Sequence, residues 1–284
     1  MVIAISSWYS RLRHASTLIA AVATLTGCAT VQGTAREQPL RAMTYNIQYG
    51  NEGIDSVADV IRAEKPDIVG LQEVDVHWAD RSAYIDQAER LSKQTGMAVR
   101  FARIYQLPNA DPSRPPREFG VAILSRYPIV SFTNHTIARL STQEENPVPR
   151  PLPGLLEAVI DVNGTSVRVF NVHLDYRRDP AVRARQVEEI LGYIGDSTVP
   201  TLLFGDLNAR PDAPELQPLL SKLHDTWPYS VSPGLTMPAT DPTGKIDYVL
   251  TSGGFRVVNA RVPQVHASDH LPVVVDLMMS RSRQ

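Results

Sequence analysis

Short apolar runs alternate with stretches of helical periodicity from about Leu40 to the end of the chain. Ten runs have the length and alternation typical of β-strands, at Arg41–Ile47, Asp67–Gln72, Val99–Tyr105, Gly120–Leu124, Leu155–Val162, Ser166–Val172, Thr201–Phe204, Ile246–Leu250, Phe255–Val262 and Pro272–Leu277. Helical spacing occurs at Ile54–Glu64, Tyr84–Thr95, Pro180–Ile194 and Ala213–Leu223. The mixture predicts an α/β fold in which two sheets pack together with helices outside them.

Turn and loop signals separate these elements. Asn163-Gly164 lies between two alternating runs and predicts a tight hairpin. Asp179-Pro180 is typical of a helix start, with a capping residue before a first-turn proline. Two Pro-rich stretches, Gln106–Arg117 and Ala138–Gly154, are predicted to be long loops outside the core.

The first 27 residues differ from the rest of the chain. Arg11 and Arg13 precede an uncharged run that ends at Leu25-Thr26-Gly27-Cys28. That run is shorter than the ~20 residues of a membrane span, and it has the pattern of a secretory signal. Its ending resembles a bacterial lipobox, in which the cysteine is lipidated; an ordinary signal peptide or a short uncleaved anchor is the alternative. We therefore expect residues 1–27 to be a lipoprotein signal peptide, 28–39 a tether and 40–284 the folded domain.

This N-terminus predicts an exported protein that is anchored by lipid to a bacterial membrane, on its periplasmic or cell-surface side.

The composition of the chain narrows the classes of protein it can belong to. The chain has 284 residues, of which 43% are hydrophobic, and this excludes a disordered protein or a fibre. A formal net charge of −2 gives no general basic surface for nucleic acid, so nucleic acid is a possible but unfavoured partner. A single cysteine permits no intramolecular disulfide, and we expect a monomer.

Polar residues at the edges of the predicted strands carry the candidate chemistry. They lie in Thr44-Tyr45-Asn46, Leu71-Gln72-Glu73, Asn171-Val172-His173, Gly205-Asp206-Leu207-Asn208, Lys245-Ile246-Asp247 and Ser268-Asp269-His270. Any one of them could simply end a strand or cap a helix. Because burying such groups without a partner is costly, the whole set predicts a site that contains a metal or water.

The side-chain types narrow the chemistry of that site. Glu73, Asp269 and Asn46 offer hard oxygen ligands, which suit Mg²⁺ or Mn²⁺ better than Zn²⁺. The sequence has no His-Glu-x-x-His, no Walker A loop and no Gly-x-Ser-x-Gly, so zinc proteases, P-loop enzymes and serine esterases are poor interpretations.

The order of these motifs, with Phe-Gly-Val-Ala-Ile-Leu-Ser at Phe119–Ser125 and Leu-Pro after His270, resembles the endonuclease/exonuclease/phosphatase superfamily. The resemblance extends from about Leu40 to Leu277. It implies a four-layer α/β sandwich, two packed mixed β-sheets flanked by helices, with the catalytic groups at one rim.

The resemblance also implies roles for individual residues. Glu73 would be the main metal ligand, with Asn46 and Asp269 close to the metal or its waters. Asp206 would orient and deprotonate the attacking water, and Asn208 would donate to a phosphate oxygen.

Two histidines complete the implied centre. His270 would contact the phosphate and be oriented by Asp247, and His173 would be a second phosphate-facing imidazole. Glu118 is the expected carboxylate partner of His173. Arg81 and Arg150 are possible supporting groups, each of which also fits a solvated loop arginine.

We therefore predict a metal-dependent hydrolase of phosphate esters, most simply a phosphodiesterase. The alternatives are a phosphomonoesterase acting on lipid or inositol head groups, an extracytoplasmic nuclease, and a non-catalytic lipid-anchored binding protein. The two predicted loops contain no Trp, Phe or Tyr, which disfavours a hairpin that dips into lipid.

Overall fold

Two six-stranded β-sheets pack together in the computed structural model, which describes residues 37–280. The strands are β1 (Glu37–Asn46), β2 (Ile68–Val76), β3 (Ala98–Leu107), β4 (Arg117–Ser125), β5 (Ile129–Arg139), β6 (Arg150–Val162), β7 (Thr165–His173), β8 (Thr201–Asp206), β9 (His224–Asp225), β10 (Asp247–Thr251), β11 (Phe255–Arg261) and β12 (Val273–Ser280). The helices are α1 (Ile54–Glu64), α2 (Gln87–Thr95), α3 (Ala181–Ile194) and α4 (Gln217–Lys222).

Each sheet has one parallel pair of strands at its centre. The first sheet has the order β11-β12-β1-β2-β4-β3, and the second has the order β5-β6-β7-β8-β10-β9. The pairs β1–β2 and β7–β8 are parallel, and the other pairs are antiparallel. Helix α1 connects the first parallel pair and α3 connects the second, as a parallel connection requires a crossover. Both sheets are therefore mixed.

Both faces of each sheet are buried, which explains why the central strands are apolar at nearly every position. In β1, Ala42 belongs to the core between the sheets and Met43 to the core under α1 and α2. The outer face of the second sheet packs against α3 and α4. The sheets approach closely at Gly70, where an added Cβ would lie 2.4 Å from Cβ of Phe204. The predicted four-layer α/β sandwich is confirmed.

The helices agree closely with the sequence prediction. The bounds of α1 are those predicted, and α3 starts one residue later than expected. Helix α2 starts at Gln87 rather than Tyr84, because the Asp86 carboxylate caps it by accepting from the N–H of Glu89 at 2.8 Å. The fourth predicted helix is divided into a 3₁₀ turn at Pro214–Leu216 followed by α4.

Several strands differ from the sequence prediction. Strand β1 starts at Glu37, upstream of the expected Leu40, because its first residues pair with the end of β12. Strand β5 was not predicted. The predicted loop Ala138–Gly154 is shortened from both ends, since β5 ends at Arg139 and β6 begins at Arg150.

The predicted signal peptide, Cys28 and most of the predicted tether lie outside the described residues. Within residues 37–280, no helix combines the length and the hydropathy needed to cross a membrane.

Candidate active site

The predicted site residues converge on one rim of the sandwich, where the carboxyl ends of the two parallel strand pairs meet. Asn46 ends β1, Glu73 lies late in β2, His173 ends β7 and Asp206 ends β8. Strand β10 runs antiparallel to β8, so its first residue, Asp247, is paired with Asp206. The topology thus brings side chains that are distant in sequence to one edge.

Asp206 is the centre of this arrangement. The strand register places it beside His173 on β7 and Asp247 on β10. Its Oδ1 accepts the backbone N–H of Asn208 at 2.9 Å, and its Oδ2 accepts from Nδ2 of Asn46 at 3.0 Å. The same Oδ2 lies 3.4 Å from Nε2 of His173 and 3.7 Å from Nε2 of His270. One oxygen of a buried carboxylate therefore faces an amide and two imidazoles.

Burial and the nearby Asp247 carboxylate raise the pKa of Asp206, while the two histidines and the Asn46 amide act in the opposite direction. A raised pKa makes the carboxylate a stronger base. This is the electrostatic setting that a group receiving a proton from water requires.

His270 and Asp247 form the predicted pair. Nδ1 of the imidazole lies 3.0 Å from Oδ2 of Asp247, which also accepts from the Thr236 hydroxyl. Burial alone would lower the pKa of His270, but the carboxylates of Asp247, Asp206 and Asp269 raise it to about 10. His270 is therefore an imidazolium at neutral pH.

Glu73 enters the rim through a local irregularity of β2. The register between β2 and β4 shifts between Leu71 and Val74, and Glu73 has a φ of +58°. A left-handed conformation is uncommon for a residue other than glycine and signals a position held by its surroundings. Oε1 of Glu73 accepts from Nδ2 of Asn46 at 3.1 Å, so the Asn46 amide joins Glu73 to Asp206.

The oxygen donors around Glu73 suit a hard divalent cation. Asp269 is half-buried, and both its burial and the negative charge of Glu73 raise its pKa. Two carboxylates that repel each other gain most from a cation placed between them. The two carboxylates are of the kind that Mg²⁺ and Mn²⁺ prefer. Asn46 lies beside them, with its Nδ2 facing Glu73 and its Oδ1 accepting from the N–H of Gln48 at 3.0 Å.

A second group of residues is close enough together to hold a cation. One ligand atom from each of Asp206, Asp247 and His270 lies within 4.8 Å of the other two. Nδ1 of His270 faces Asp247, so a metal there would bind Nε2 and would have to replace the proton that the surrounding carboxylates keep on the imidazolium. Because an imidazolium is not a metal ligand, the Glu73 side of the rim fits a cation better.

Asn208 lies in a turn in which the Asp206 carboxylate accepts from the backbone N–H of Asn208, and its φ is +50°. Its Nδ2 donates to the carbonyl of Leu174 at 3.1 Å. The second N–H of that amide makes no hydrogen bond to a residue in the described range. It is therefore open to a ligand, and donation to a phosphate oxygen, the role that the family resemblance implies for Asn208, stays a prediction.

Two of the supporting residues lie elsewhere. Glu118 lies 3.6 Å from Nη1 of Arg103 on the neighbouring strand, and the carboxylate that approaches His173 belongs to Asp206. The expectation that Glu118 pairs with His173 is therefore wrong. Arg150 is exposed and forms an ion pair with Glu144, so it does not join the centre.

Arg81, the third supporting residue, does reach the site. It lines a cavity together with Glu73 and His173, and its guanidinium forms two 2.9 Å hydrogen bonds with the buried Asp75.

Two buried amides below the rim have roles that sequence reasoning did not assign. Asn171 Nδ2 donates to the carbonyls of Leu71 at 2.9 Å and Ala122 at 2.8 Å, and its Oδ1 accepts from Gln72 at 2.7 Å. These carbonyls flank the irregularity that carries Glu73. The available signal was an amide between two apolar residues, Phe170 and Val172, of β7.

Comparison with known proteins identifies the family to which the sequence is similar. A sequence model of the Endonuclease/Exonuclease/phosphatase family matches residues 43–270. No curated protein matches the sequence with significant similarity.

Several solved structures are similar in fold. An endonuclease/exonuclease/phosphatase from Beutenbergia cavernae is 28% identical with a TM-score of 0.62, over 86% of this chain and 72% of that one. A mannosyl-6-phosphatase from Bacteroides thetaiotaomicron is 18% identical, with a TM-score of 0.62 over 84% and 99% of the two chains. The human Nocturnin catalytic domain, with a bound sulfate anion, is 20% identical, with a TM-score of 0.61 over 84% and 93%. The last two similarities support the fold alone.

Proposed function

We propose, from the premise that this chain belongs to the endonuclease/exonuclease/phosphatase family, that it is a Mg²⁺- or Mn²⁺-dependent phosphodiesterase. The family hydrolyses phosphate esters, and the chain is a hydrolase of that broad class. The preference for a diester, the metal and the roles of single residues are our proposal.

One observation carries the proposal. Oδ2 of the buried Asp206 faces both His173 and His270, and Asn46 connects the same oxygen to Glu73. Asp206 would orient the attacking water and take its proton, for which its raised pKa suits it. The turn that fixes Oδ1 of Asp206 holds the carboxylate in place while Oδ2 acts.

Glu73, Asn46 and Asp269 would hold the cation. When bound, Mg²⁺ or Mn²⁺ supplies positive charge that neutralises the phosphate and stabilises the leaving oxygen. Because the Asn46 amide donates to both carboxylates, it would hold Glu73, which binds the cation, at a fixed position relative to Asp206, which binds the water.

The phosphate would be bound by imidazoles and an amide. His270, kept protonated by Asp247, would place a positive N–H against a non-bridging oxygen, where charge increases in the transition state. The open N–H of Asn208 would add a second donor, and His173 would face the phosphate from the other strand.

The test uses purified full-length chain in detergent, with bis-p-nitrophenyl phosphate and p-nitrophenyl phosphate as substrates in Mg²⁺, Mn²⁺ or EDTA. We expect diester hydrolysis that EDTA abolishes and that Glu73→Gln and His270→Gln each reduce by about 10²-fold or more. His224→Gln, which changes an exposed histidine on β9, is the matched control and should retain activity.

The alternatives predict different results. Faster turnover of the monoester would favour a phosphomonoesterase, the activity named for the similar Bacteroides thetaiotaomicron protein. Preferential cleavage of DNA or RNA, falling steeply with salt, would favour a nuclease. Metal binding with no turnover of esters, lipids or nucleic acids would refute the enzyme and favour a binding protein.

We also propose that Cys28 carries a lipid that holds the enzyme at a bacterial membrane, with phosphate esters outside the cytoplasm as its substrates. A thioether-linked lipid adds ~0.8 kcal/mol of membrane affinity for each buried methylene. Labelling cells with a radioactive fatty acid should mark the wild-type chain and not Cys28→Ser. Equal labelling of both, or of neither, would contradict the anchor.

A further inference from the structure

A small cavity opens beside the catalytic centre, between the ends of the two sheets. Glu73 and His173 line one side of it, which makes it continuous with the centre. Its volume is about 180 Å³. This is below the roughly 300–1,000 Å³ of pockets that hold drug-sized ligands, so the cavity accepts one ring-sized group. Its other walls include three arginines, Arg81, Arg139 and Arg177.

Arg139 is a buried cation without a carboxylate partner. Its guanidinium donates to the carbonyls of Pro153 at 3.1 Å, Gly154 at 3.0 Å and His173 at 2.9 Å. Among residues 37–280 it makes no ion pair. Burial lowers the pKa of Arg139 to about 10, so it remains protonated at neutral pH. Asp175 lines the same cavity and raises the pKa of Arg139, but it pairs with Arg177 and forms no ion pair with Arg139, so the charge of Arg139 is only partly offset.

The backbone is shaped to admit this guanidinium. Gly154 has a φ of +114°, and a Cβ there would lie 2.3 Å from Cγ1 of Ile104 and 3.1 Å from Nη2 of Arg139. A glycine is therefore needed where the arginine approaches the main chain. Arg139 is held by the carbonyls with its position fixed before any ligand arrives.

Arg81 and Arg177 add donors at the cavity edge. Arg81 uses Nε and Nη2 on Asp75 and lies 3.9 Å above the Tyr49 ring, while its Nη1 makes no hydrogen bond within the described range. Arg177 pairs with Asp175 through Nη1, and its Nη2 is likewise unbonded among those residues. Both guanidinium groups are thus fixed by a carboxylate and keep an N–H for a ligand.

The remaining wall is aromatic and rigid. Tyr105 and Phe119 stack with ring centroids 6.2 Å apart, and both line the cavity. The hydroxyl of Tyr105 accepts from the backbone N–H of Thr142 at 3.0 Å, which ties the segment after β5 to the wall. A flat ring with polar substituents suits such a surface better than a flexible acyl chain.

We propose that this cavity binds the organic group of the substrate and that this group carries a second anion, a phosphate or a carboxylate, against Arg139, Arg177 and Arg81. The inference rests on the proposed function, because it assumes that the scissile phosphate lies at Asp206 and His270. It names the substrate class as small, ring-sized phosphate esters with a second negative charge.

Calorimetry with three matched ligands tests this without turnover. Glucose 1-phosphate, glucose 1,6-bisphosphate and glucuronic acid 1-phosphate share a ring and a phosphate, and differ at carbon 6 in carrying a hydroxyl, a phosphate or a carboxylate. We expect at least one of the two doubly anionic ligands to bind the full-length chain about tenfold or more tightly than glucose 1-phosphate. Whichever binds more tightly identifies the anion.

Variants locate the effect. Arg177→Gln should remove most of the tenfold preference and Arg177→Lys should retain part of it, since lysine keeps the charge. Arg81→Gln combined with Asp75→Asn should also reduce it, and leaves no buried carboxylate unpaired. Arg256→Gln is the control and should keep the full preference. It changes an exposed arginine on β11 that pairs with Glu37 of β1.

Equal affinity for all three ligands, or no binding of any, would overturn the inference, as would a preference that survives in every cavity variant. Because the binding assay needs no hydrolysis, the two proposals fail separately. A chain that shows the preference but does not hydrolyse bis-p-nitrophenyl phosphate would refute the activity alone.

Discussion

Replacing Asn171 with leucine tests whether a buried amide holds the strand irregularity that presents Glu73. Asn171 lies on β7 in the second sheet, yet its side chain bonds to the first sheet at Leu71, Gln72 and Ala122. Leucine has a similar size and shape and makes none of these bonds. The change therefore removes the polar contact between the sheets with little change in packing volume.

The magnitude follows from the groups left behind. Asn171→Leu removes a side-chain donor from the carbonyls of Leu71 and Ala122 and an acceptor from the Gln72 amide, in a place where Asn171 and Gln72 are fully buried. A buried polar group that loses its partner costs about 1–3 kcal/mol. Gln72 retains its 3.1 Å bond to the Thr44 hydroxyl, which moderates its share. We expect a loss of roughly 3–6 kcal/mol, a large part of the 5–15 kcal/mol stability of a typical domain.

Urea unfolding followed by circular dichroism measures this loss. Asn259→Leu, at an exposed position on β11, is the matched control and should change stability by about 0.5 kcal/mol or less. Where Asn171→Leu still folds, the stabilisation by Mg²⁺ or Mn²⁺ should also shrink, because Glu73 is no longer held in its left-handed conformation. A loss below about 1 kcal/mol with unchanged metal stabilisation would refute this role for Asn171.

Three further predictions concern the rim and its support. Glu73→Gln should weaken stabilisation by Mg²⁺ at least about tenfold in metal concentration, measured by thermal denaturation; an unchanged titration would remove Glu73 from the metal site. The folded-state pKa of His270, about 10, is raised above the ordinary 6.5, so its contribution to stability is fully present below pH 6.5 and is lost as pH rises through 10. The stability difference between wild type and His270→Gln should therefore shrink over that interval, by on the order of 4 kcal/mol, and a constant difference in pH-dependent urea unfolding would contradict the ion pair. Lys245→Met should destabilise the fold by about 3–5 kcal/mol in urea unfolding, because it leaves the Asp225 carboxylate, 3.2 Å from Nζ, without its buried cation; a neutral result would show that the pair contributes nothing.

The candidate site residues could be located from the sequence because parallel strands fix where their polar ends lie. Asn46, His173 and Asp206 each end a central strand, and the pairing of β10 with β8 places Asp247 opposite Asp206. A carboxylate or amide after a fully apolar run needs a partner, and the partner has to come from the neighbouring strand end. The residue types and their order were therefore sufficient to predict the rim.

Strand β5 could not be found in the same way. Its residues from Val130 to Thr133 are mostly exposed, and burial is continuous only in its last three positions. It is an edge strand that pairs with β6 along nearly its whole length, so main-chain bonds rather than alternating side-chain burial define it. A periodicity test has little to detect in such a strand, and Arg139 at its buried end was therefore assigned to a loop.

The incorrect partner for His173 has a different cause. Glu118 was assigned by similarity to relatives, yet here Arg103 on the adjacent antiparallel strand lies within reach of its carboxylate. The register of β3 against β4 shifts between Arg103 and Tyr105, and this shift cannot be read from alternation in either strand. Which side chain faces which across two sheets depends on such shifts, and one sequence does not reveal them.

The two site residues with left-handed backbones show most directly why the rest of the geometry was unpredictable. Glu73, with a φ of +58°, lies within β2, and Asn208, with a φ of +50°, comes just after β8, where local preference favours extended chain. Polar side chains contact both segments, since Asn171 binds the carbonyl of Leu71, two residues before Glu73, and the Asp206 carboxylate accepts from the N–H of Asn208. Such strain costs of order 1–3 kcal/mol and persists only where tertiary contacts offset it. Local sequence preference opposes these conformations, so only the assembled sheets can explain them, and both occur at residues of the candidate site.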